Sequence, residues 1–267
     1  MCQFLLRPPL YSLKMLITAP QAFFSPSELR RPVPKRQVIN DTYTPASRSL
    51  GADSRWQIAR IRQKLPTELP QTNFSHIEKL LKSKASPEVT EAVKKAYEVA
   101  EAAHAQDTRQ DGTPYIHHPA RVCAFLISEC DVTQPEVLQA ALLHDVVEDT
   151  PTTIQDIEAT FGKKTAEYVD WLTKPSQEGF GSKQELNAHQ ADRIKRAPKE
   201  VRMIKLADRM DNISDLHLLP PNGKMERYVK DTRENYLDLA AQTDLKIYGK
   251  MQLRVAQLEQ LAHLKAA

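Results

Sequence analysis

The segment Thr133–Asp149 reads TQPEVLQAALLHDVVED. Its apolar residues Val137, Leu138, Ala140, Ala141, Leu142, Leu143, Val146 and Val147 leave almost no polar side. A helix apolar nearly all round is a central, buried one, so this segment is expected to be the axis of the fold. Thr133 and Glu136, three residues apart, form a candidate capping box at its start. Its last turns nevertheless carry His144, Asp145, Glu148 and Asp149. Charged side chains are almost never fully buried unless something pairs with them. His144 and Glu148 are four residues apart, as are Asp145 and Asp149, and such pairs share a helical face. The four groups are therefore expected to form one polar patch directly after Leu142 and Leu143. A charged helix end facing water is the alternative when this segment is taken alone.

Outward from this axis the pattern stays helical. SPEVTEAVKKAYEVAEAAHAQ has Ser86 at the N-cap and Pro87 at the first helical position. TTIQDIEATFG and KKTAEYVDWLTK are two helices separated by Gly162, and Trp171 in the second is expected in the core. SKQELNAHQADRIKRAP is expected to be a polar surface helix. KEVRMIKLADRMDNISDL is apolar in its first half and polar in its second. One or two long amphipathic helices are expected from Met225 onward. Alternating runs of Val, Ile and Thr are missing, so the fold class is all-α, a helical bundle.

Proline marks the other end of the chain. Nine of the 18 prolines fall in the first 70 residues, where a missing donor and a fixed φ oppose regular structure. The first 40 residues hold one acid, Glu28, against Arg7, Lys14, Arg30, Arg31, Lys35 and Arg36. Residues 1–50 are expected to be a disordered or targeting extension, or to reflect a start upstream of Met15. Residues 51–85 are expected to be a linker with short helices, 86–240 the main domain, and 241–267 a C-terminal helix. With 41% hydrophobic and 27% charged residues among 267, the chain has ordinary soluble globular composition. No apolar run is long enough to span a membrane. A net charge of +3 is too small to argue for nucleic acid. Cys2, Cys123 and Cys130 have no metal-type spacing, and their odd number suits a reducing compartment. A cytoplasmic location is expected, with an organelle as the alternative raised by the basic start.

Two further segments bear on the polar patch. DGTPYIHHPARVCAFL puts His117 and His118 before Pro119, at the start of a helix. Adjacent side chains point in different directions, so at most one of the two is expected to reach a shared site; a surface histidine at a loop-to-helix junction is the reading of this segment taken alone. IKLADRMDN places Asp208 behind Ile204, Leu206 and Ala207, hence in a buried stretch. A buried acid needs a partner: Arg209, a helix N-terminus, or a cation shared with His144 and Asp145. Imidazole and carboxylate on three helices suit manganese, iron, magnesium or zinc. Such a centre would acidify a water. Glu148 and Asp149, one turn on, are candidates for the general base or for orienting that water.

The segments AHAQDTRQDGTPYIHHP, ALLHDVVEDTPTT, FGKKTAEYVDWLTK and IKLADRMDNI resemble, in this order, the HD-domain metal phosphohydrolases. More closely they resemble the hydrolase domain of the RelA/SpoT alarmone enzymes and the small alarmone hydrolases. The resemblance covers roughly residues 90–219 and makes 86–240 an HD hydrolase domain. It implies one Mn²⁺ held by His118, His144, Asp145 and Asp208, with Glu148 and Asp149 activating water. It selects His118 over His117, because the family histidine directly precedes proline. It also implies that Arg109 and Asn212 bind a guanosine polyphosphate, whose 3′-pyrophosphate is removed. Gln110 stands where the family has a second basic residue, and Asp211 where the long enzymes have histidine. Asp215 and TKPSQEGFG depart as well, and all four departures are expected around the nucleotide rather than the metal. Two rival functions remain: the same chemistry on another nucleotide, and a helical module that binds without turnover. Oligomeric state cannot be read from the chain.

Overall fold

The computed structural model describes residues 52–218 and 223–266. The basic, proline-rich start lies outside them. In chain order the helices are α1 (Ala52–Arg62), α2 (Phe74–Leu81), α3 (Pro87–Ala103), α4 (His117–Cys130), α5 (Pro135–Leu143), α6 (Val146–Asp149), α7 (Ile154–Phe161), α8 (Lys163–Leu172), α9 (Lys183–Arg196), α10 (Lys199–Ser214), α11 (Lys224–Asn235), α12 (Leu237–Thr243) and α13 (Leu245–Ala266). Among the described residues no strand forms. The extended pairing is a single bridge between Thr108 and Pro114, in the loop that leads into α4. The all-α expectation therefore holds.

Helix α5 is the axis, as its sequence implies: every residue from Val137 to Leu143 is buried. It packs against α3, α4, α8 and α10. Full burial of one leucine such as Leu138 contributes about 1.5–3 kcal/mol, so this apolar run is a main source of the fold's stability. Two details differ from expectation. Thr133 and Glu136 make no capping box; Gln134 is the N-cap and Pro135 opens the helix. Proline at the first turn needs no backbone donor, which removes one of the groups a box would satisfy. The capping box forms instead at α7, where Thr153 and Asp156 bond reciprocally.

The helix is also not continuous through the polar patch. α5 ends at Leu143, and α6 restarts at Val146 with Asp149 N–H donating to Asp145 C=O. Consecutive side chains on a regular helix splay about 100° apart. The break lets His144 and Asp145 turn toward the same place.

Helix α10 is the second organising element, touching α4, α5, α8, α9, α11, α12 and α13. Its second half is polar in sequence but is not surface: Asp208, expected in a buried stretch, is buried together with Arg209, Met210, Asp211 and Ile213. Each charged member has a partner there, which is what makes burial tolerable. Helices α11, α12 and α13 close the far side of α10, and α1 packs on α13. The tail is thus three helices rather than one or two. Buried core residues run continuously from Ile58 to Leu261. Gly162 joins α7 to α8 at φ +84°, a conformation that side chains with a Cβ rarely adopt.

Candidate metal centre

Three chain segments deliver the polar groups. His118 is the second residue of α4, His144 and Asp145 occupy the α5–α6 break, and Asp208 lies in the C-terminal half of α10. His118 and His144 are 1% and 2% exposed, so neither is a surface histidine. One ligand atom from each of His118, His144 and Asp145 lies within 4.8 Å of the other two. Asp208 Oδ1 is 3.3 Å from His118 Nε2 and 3.8 Å from His144 Nε2. Asp145 Oδ2 is 3.2 Å from His144 Nε2 and 3.7 Å from His118 Nε2.

Hydrogen bonds on the far side of each ring set its direction. His144 Nδ1–H donates to the Ala141 carbonyl at 2.7 Å. A carbonyl only accepts, so Nδ1 carries the proton and a neutral ring has its lone pair on Nε2. His144 Nε2 is buried and makes no hydrogen bond of its own. An orphaned buried nitrogen, facing carboxylates and a second imidazole, fits a divalent cation. Tyr115 O–H donates to Asp145 Oδ2 at 2.5 Å, and Lys205 Nζ donates to Asp208 Oδ2 at 2.7 Å. Asn212 Nδ2 donates to Asp208 Oδ1 from one turn on.

The charges are strongly interdependent. Burial alone would push the His144 imidazole down, but the Asp145 and Asp208 carboxylates offset it and hold it up at about 9. His118 is raised against burial in the same way by Asp208 and Asp211. Burial opposes ionisation of Asp145 and Asp208, yet both stay well below the carboxylate range, through His144 and Lys205 respectively. Burial, with Asp145 beside it, drives the Tyr115 phenol far up, so it is a hydrogen-bond donor throughout the ordinary pH range.

The remaining expectations divide. His117 Nδ1–H donates to the Thr72 carbonyl at 2.8 Å, away from the cluster, whereas His118 points into it. Arg209 is not the partner of Asp208. It turns outward to Asp231 and stacks over Tyr236 at 4.0 Å, and Lys205 takes its place. Glu148 pairs with Lys174 at 3.2 Å, and Asp149 shares the short α6 with it. Arg109 is 3.5 Å from Asp215 and 4.0 Å from Asp211. Gln110 Oε1 accepts from Lys224 Nζ at 2.9 Å, so a cation does stand beside that position, delivered by α11.

Asp211 lies elsewhere than expected. It was expected around the nucleotide rather than the metal, yet it touches a residue of the cluster, while Arg109 also lies 4.0 Å away. Its carboxylate accepts from His118 Nδ1 at 2.6 Å and from Arg121, which places it behind the cluster. It sits three residues after Asp208, hence on the same face of α10. Tyr115, Lys205 and Arg121 were not singled out from sequence. The signals were present but weak: Tyr115 lies within PYIHHP, and Lys205 precedes Asp208 by three. His104 packs its ring 4.6 Å from that of Tyr115 and bonds Asp107.

The profile of the HD domain matches residues 96–245. SpoT of Escherichia coli (strain K12), named a bifunctional (p)ppGpp synthase/hydrolase, is 39% identical over 170 residues, or 62% of this chain. The chain spans 24% of that relative's length. The Mus musculus protein MESH1, named a guanosine-3′,5′-bis(diphosphate) 3′-pyrophosphohydrolase, is 36% identical over 160 residues, covering 59% of this chain and 86% of its own. The solved structure of a metazoan ortholog of SpoT, described as hydrolysing ppGpp, superposes with a TM-score of 0.57 at 30% identity. It covers 62% of this chain and 94% of that one.

Proposed function

This chain belongs to the HD-domain family, and from that membership we propose that it is a metal-dependent hydrolase removing the 3′-pyrophosphate of guanosine 3′,5′-bis(diphosphate). The observation that carries the proposal is the convergence of His118, His144 and Asp145 within 4.8 Å, with Asp208 against both rings. The names of the relatives support the substrate.

We assign His118, His144, Asp145 and Asp208 as holders of the cation. A divalent metal bound there, for which we propose Mn²⁺, supplies Lewis acidity and a water of lowered pKa. Glu148 and Asp149 on α6 take the proton from the attacking water. Tyr115 holds Asp145 in place through its 2.5 Å hydrogen bond. Asn212 steadies Asp208 from the next turn of α10, in addition to the nucleotide contact expected of it. Arg109 and Lys224 meet the phosphates from the rim of the site. Water attacks the 3′-linked phosphorus, the P–O3′ bond breaks, and the ribose 3′-oxygen leaves with a proton. The products are guanosine 5′-diphosphate and pyrophosphate.

Incubation of the full chain with the alarmone and Mn²⁺ in ¹⁸O-water tests this. The label should enter pyrophosphate and not the nucleoside diphosphate. Survival of the alarmone while another nucleotide is consumed would favour the second reading, the same chemistry on a different nucleotide. That reading draws support from Asp215, which lies against Arg109 and offsets its charge. Intact nucleotides alongside bound metal would favour a binding module. Cys123 and Cys130 are free thiols, which supports a reducing compartment such as the cytoplasm. Among the described residues no helix is long and apolar enough to cross a membrane.

A further inference from the structure

Asp211 and Arg121 form a built unit behind His118. Helix α4 carries His118 and Arg121, three residues apart, and α10 carries Asp208 and Asp211, also three apart. Residues at that spacing share a helical face, so the two helices meet as matched pairs. His118 bridges them: Nε2 faces Asp208 Oδ1 at 3.3 Å and Nδ1 faces Asp211 Oδ2 at 2.6 Å. Arg121 grips the same carboxylate as a fork, Nε to Oδ1 at 2.7 Å and Nη2 to Oδ2 at 3.0 Å. Its Nη1 donates to the Pro70 carbonyl at 3.2 Å, tying the fork to the segment before α2. Both side chains are nearly buried, 9% exposed for Arg121 and 8% for Asp211.

We propose that Asp211 and Arg121 are positioning residues that set metal affinity through His118. The proposal rests on the assignment of His118 as a ligand. An ionised carboxylate accepts and does not donate, so it fixes the Nδ1–H tautomer and leaves the Nε2 lone pair for a cation. A ligand imidazole whose other nitrogen is held in this way is better oriented and more basic, and loss of such a partner typically weakens metal binding about 10–100-fold. Arg121 acts one step further out. A planar guanidinium holding two oxygens fixes the rotation of the carboxylate, which an ammonium cannot do. Asparagine at 211 cannot serve both neighbours. With one oxygen and one NH₂, it must turn a donor toward either His118 Nδ1–H or the arginine fork.

The test is Mn²⁺ titration of the full chain by calorimetry, with the unfolding temperature of the metal-free protein measured alongside. Asp211→Asn leaves the buried Arg121 without its carboxylate, so the metal-free variant should unfold below the parent temperature, and the folded protein should bind Mn²⁺ about 10–100-fold more weakly. Its kcat should recover when Mn²⁺ is raised to saturation, which a collapsed site would not allow. Arg121→Lys keeps the charge and loses the fork, and should show a smaller loss in the same direction. The double variant should be no weaker than Asp211→Asn alone, because Arg121 acts only through Asp211. If Asp211→Asn does not fold, Arg121→Lys alone decides. Affinities within twofold of the parent in every folded variant would overturn the proposal. The ligand assignment fails separately, if the parent takes up no Mn²⁺ or if His144→Ala binds it as the parent does.

Discussion

Lys205 Nζ lies 2.7 Å from Asp208 Oδ2, on the side of that carboxylate turned away from the two imidazoles. The lysine is nearly buried and remains charged, since Asp208 more than offsets the effect of its burial. Asp208 thus has one oxygen on a permanent cation and the other on the site where a metal would sit.

Lys205→Met should separate these two roles. Removing one member of a buried ion pair costs about 3–5 kcal/mol when the other is left without compensation. The metal-free variant should therefore unfold at a clearly lower temperature. A divalent cation restores a partner to Asp208, so the rise in melting temperature on adding Mn²⁺ should exceed that of the parent. An equal or smaller rise would show that Lys205 does not compensate Asp208.

Metal uptake should release protons. His144 holds its proton up to about 9 in the metal-free state, because Asp145 and Asp208 outweigh its burial. A ligand nitrogen must give that proton up. Mn²⁺ affinity should rise between pH 6.5 and 9, and the titration heat at pH 7 should vary with the ionisation enthalpy of the buffer. The sign for stability follows from the raised folded pKa. The contribution of His144 is fully present below 6.5 and is lost as pH climbs through about 9 in the metal-free protein. Heats independent of buffer at pH 7 would contradict this.

The paired histidines should behave differently. His117 is engaged with the Thr72 carbonyl, and His118 faces His144 with ring centres 5.2 Å apart. His118→Ala should purify without stoichiometric metal, whereas His117→Ala should keep it and lose only the stability of one hydrogen bond, about 0.5–1.5 kcal/mol. Elemental analysis of both proteins gives the answer, and the reverse pattern would transfer the ligand role to His117.

Glu148 and Asp149 should govern turnover and not metal content. Glu148→Gln and Asp149→Asn are expected to lower kcat about 10²–10⁴-fold with full metal occupancy. Glu148 is paired with Lys174, so Lys174→Ala provides a control that frees the carboxylate without removing it. Near-parental kcat in a Glu148→Gln, Asp149→Asn double variant would remove both from the proposed mechanism.

Lys224 should act on binding. It stands 2.9 Å from Gln110, where the family resemblance leads one to expect a basic side chain. Lys224→Ala should raise KM for the alarmone about tenfold or more, the worth of one charge-assisted hydrogen bond, with kcat nearly unchanged. The deficit implied by Gln110 is thereby made up from α11. An unchanged KM would place Lys224 outside the phosphate-binding rim.

The order of helices, the buried axis at Val137–Leu143 and the three segments bearing His118, His144–Asp145 and Asp208 were all legible in the sequence. Each depends on local pattern: apolar periodicity, proline at a first turn, or a polar residue inside an apolar run. The direction of individual side chains was not legible. The pattern of α10 placed Asp208 in a buried stretch but did not show which partners its acids and Arg209 would find on α4, α10 and α11. The α5–α6 break was hidden for a related reason. The apolar run continues across it from Leu142 and Leu143 to Val146 and Val147, and no proline or glycine marks the bend.

By itself the sequence determined that the chain is all-α and that imidazoles and carboxylates stand at helix ends beside apolar stretches. Tertiary structure alone decided that Asp211 lies behind His118, that Lys205 and not Arg209 compensates Asp208, and that Lys224 reaches Gln110 across 114 positions. The physical reason is range. Helical period and capping are set by residues three or four apart, whereas these pairings follow from the angle and register at which α4, α10 and α11 pack, and those are set by the whole core at once.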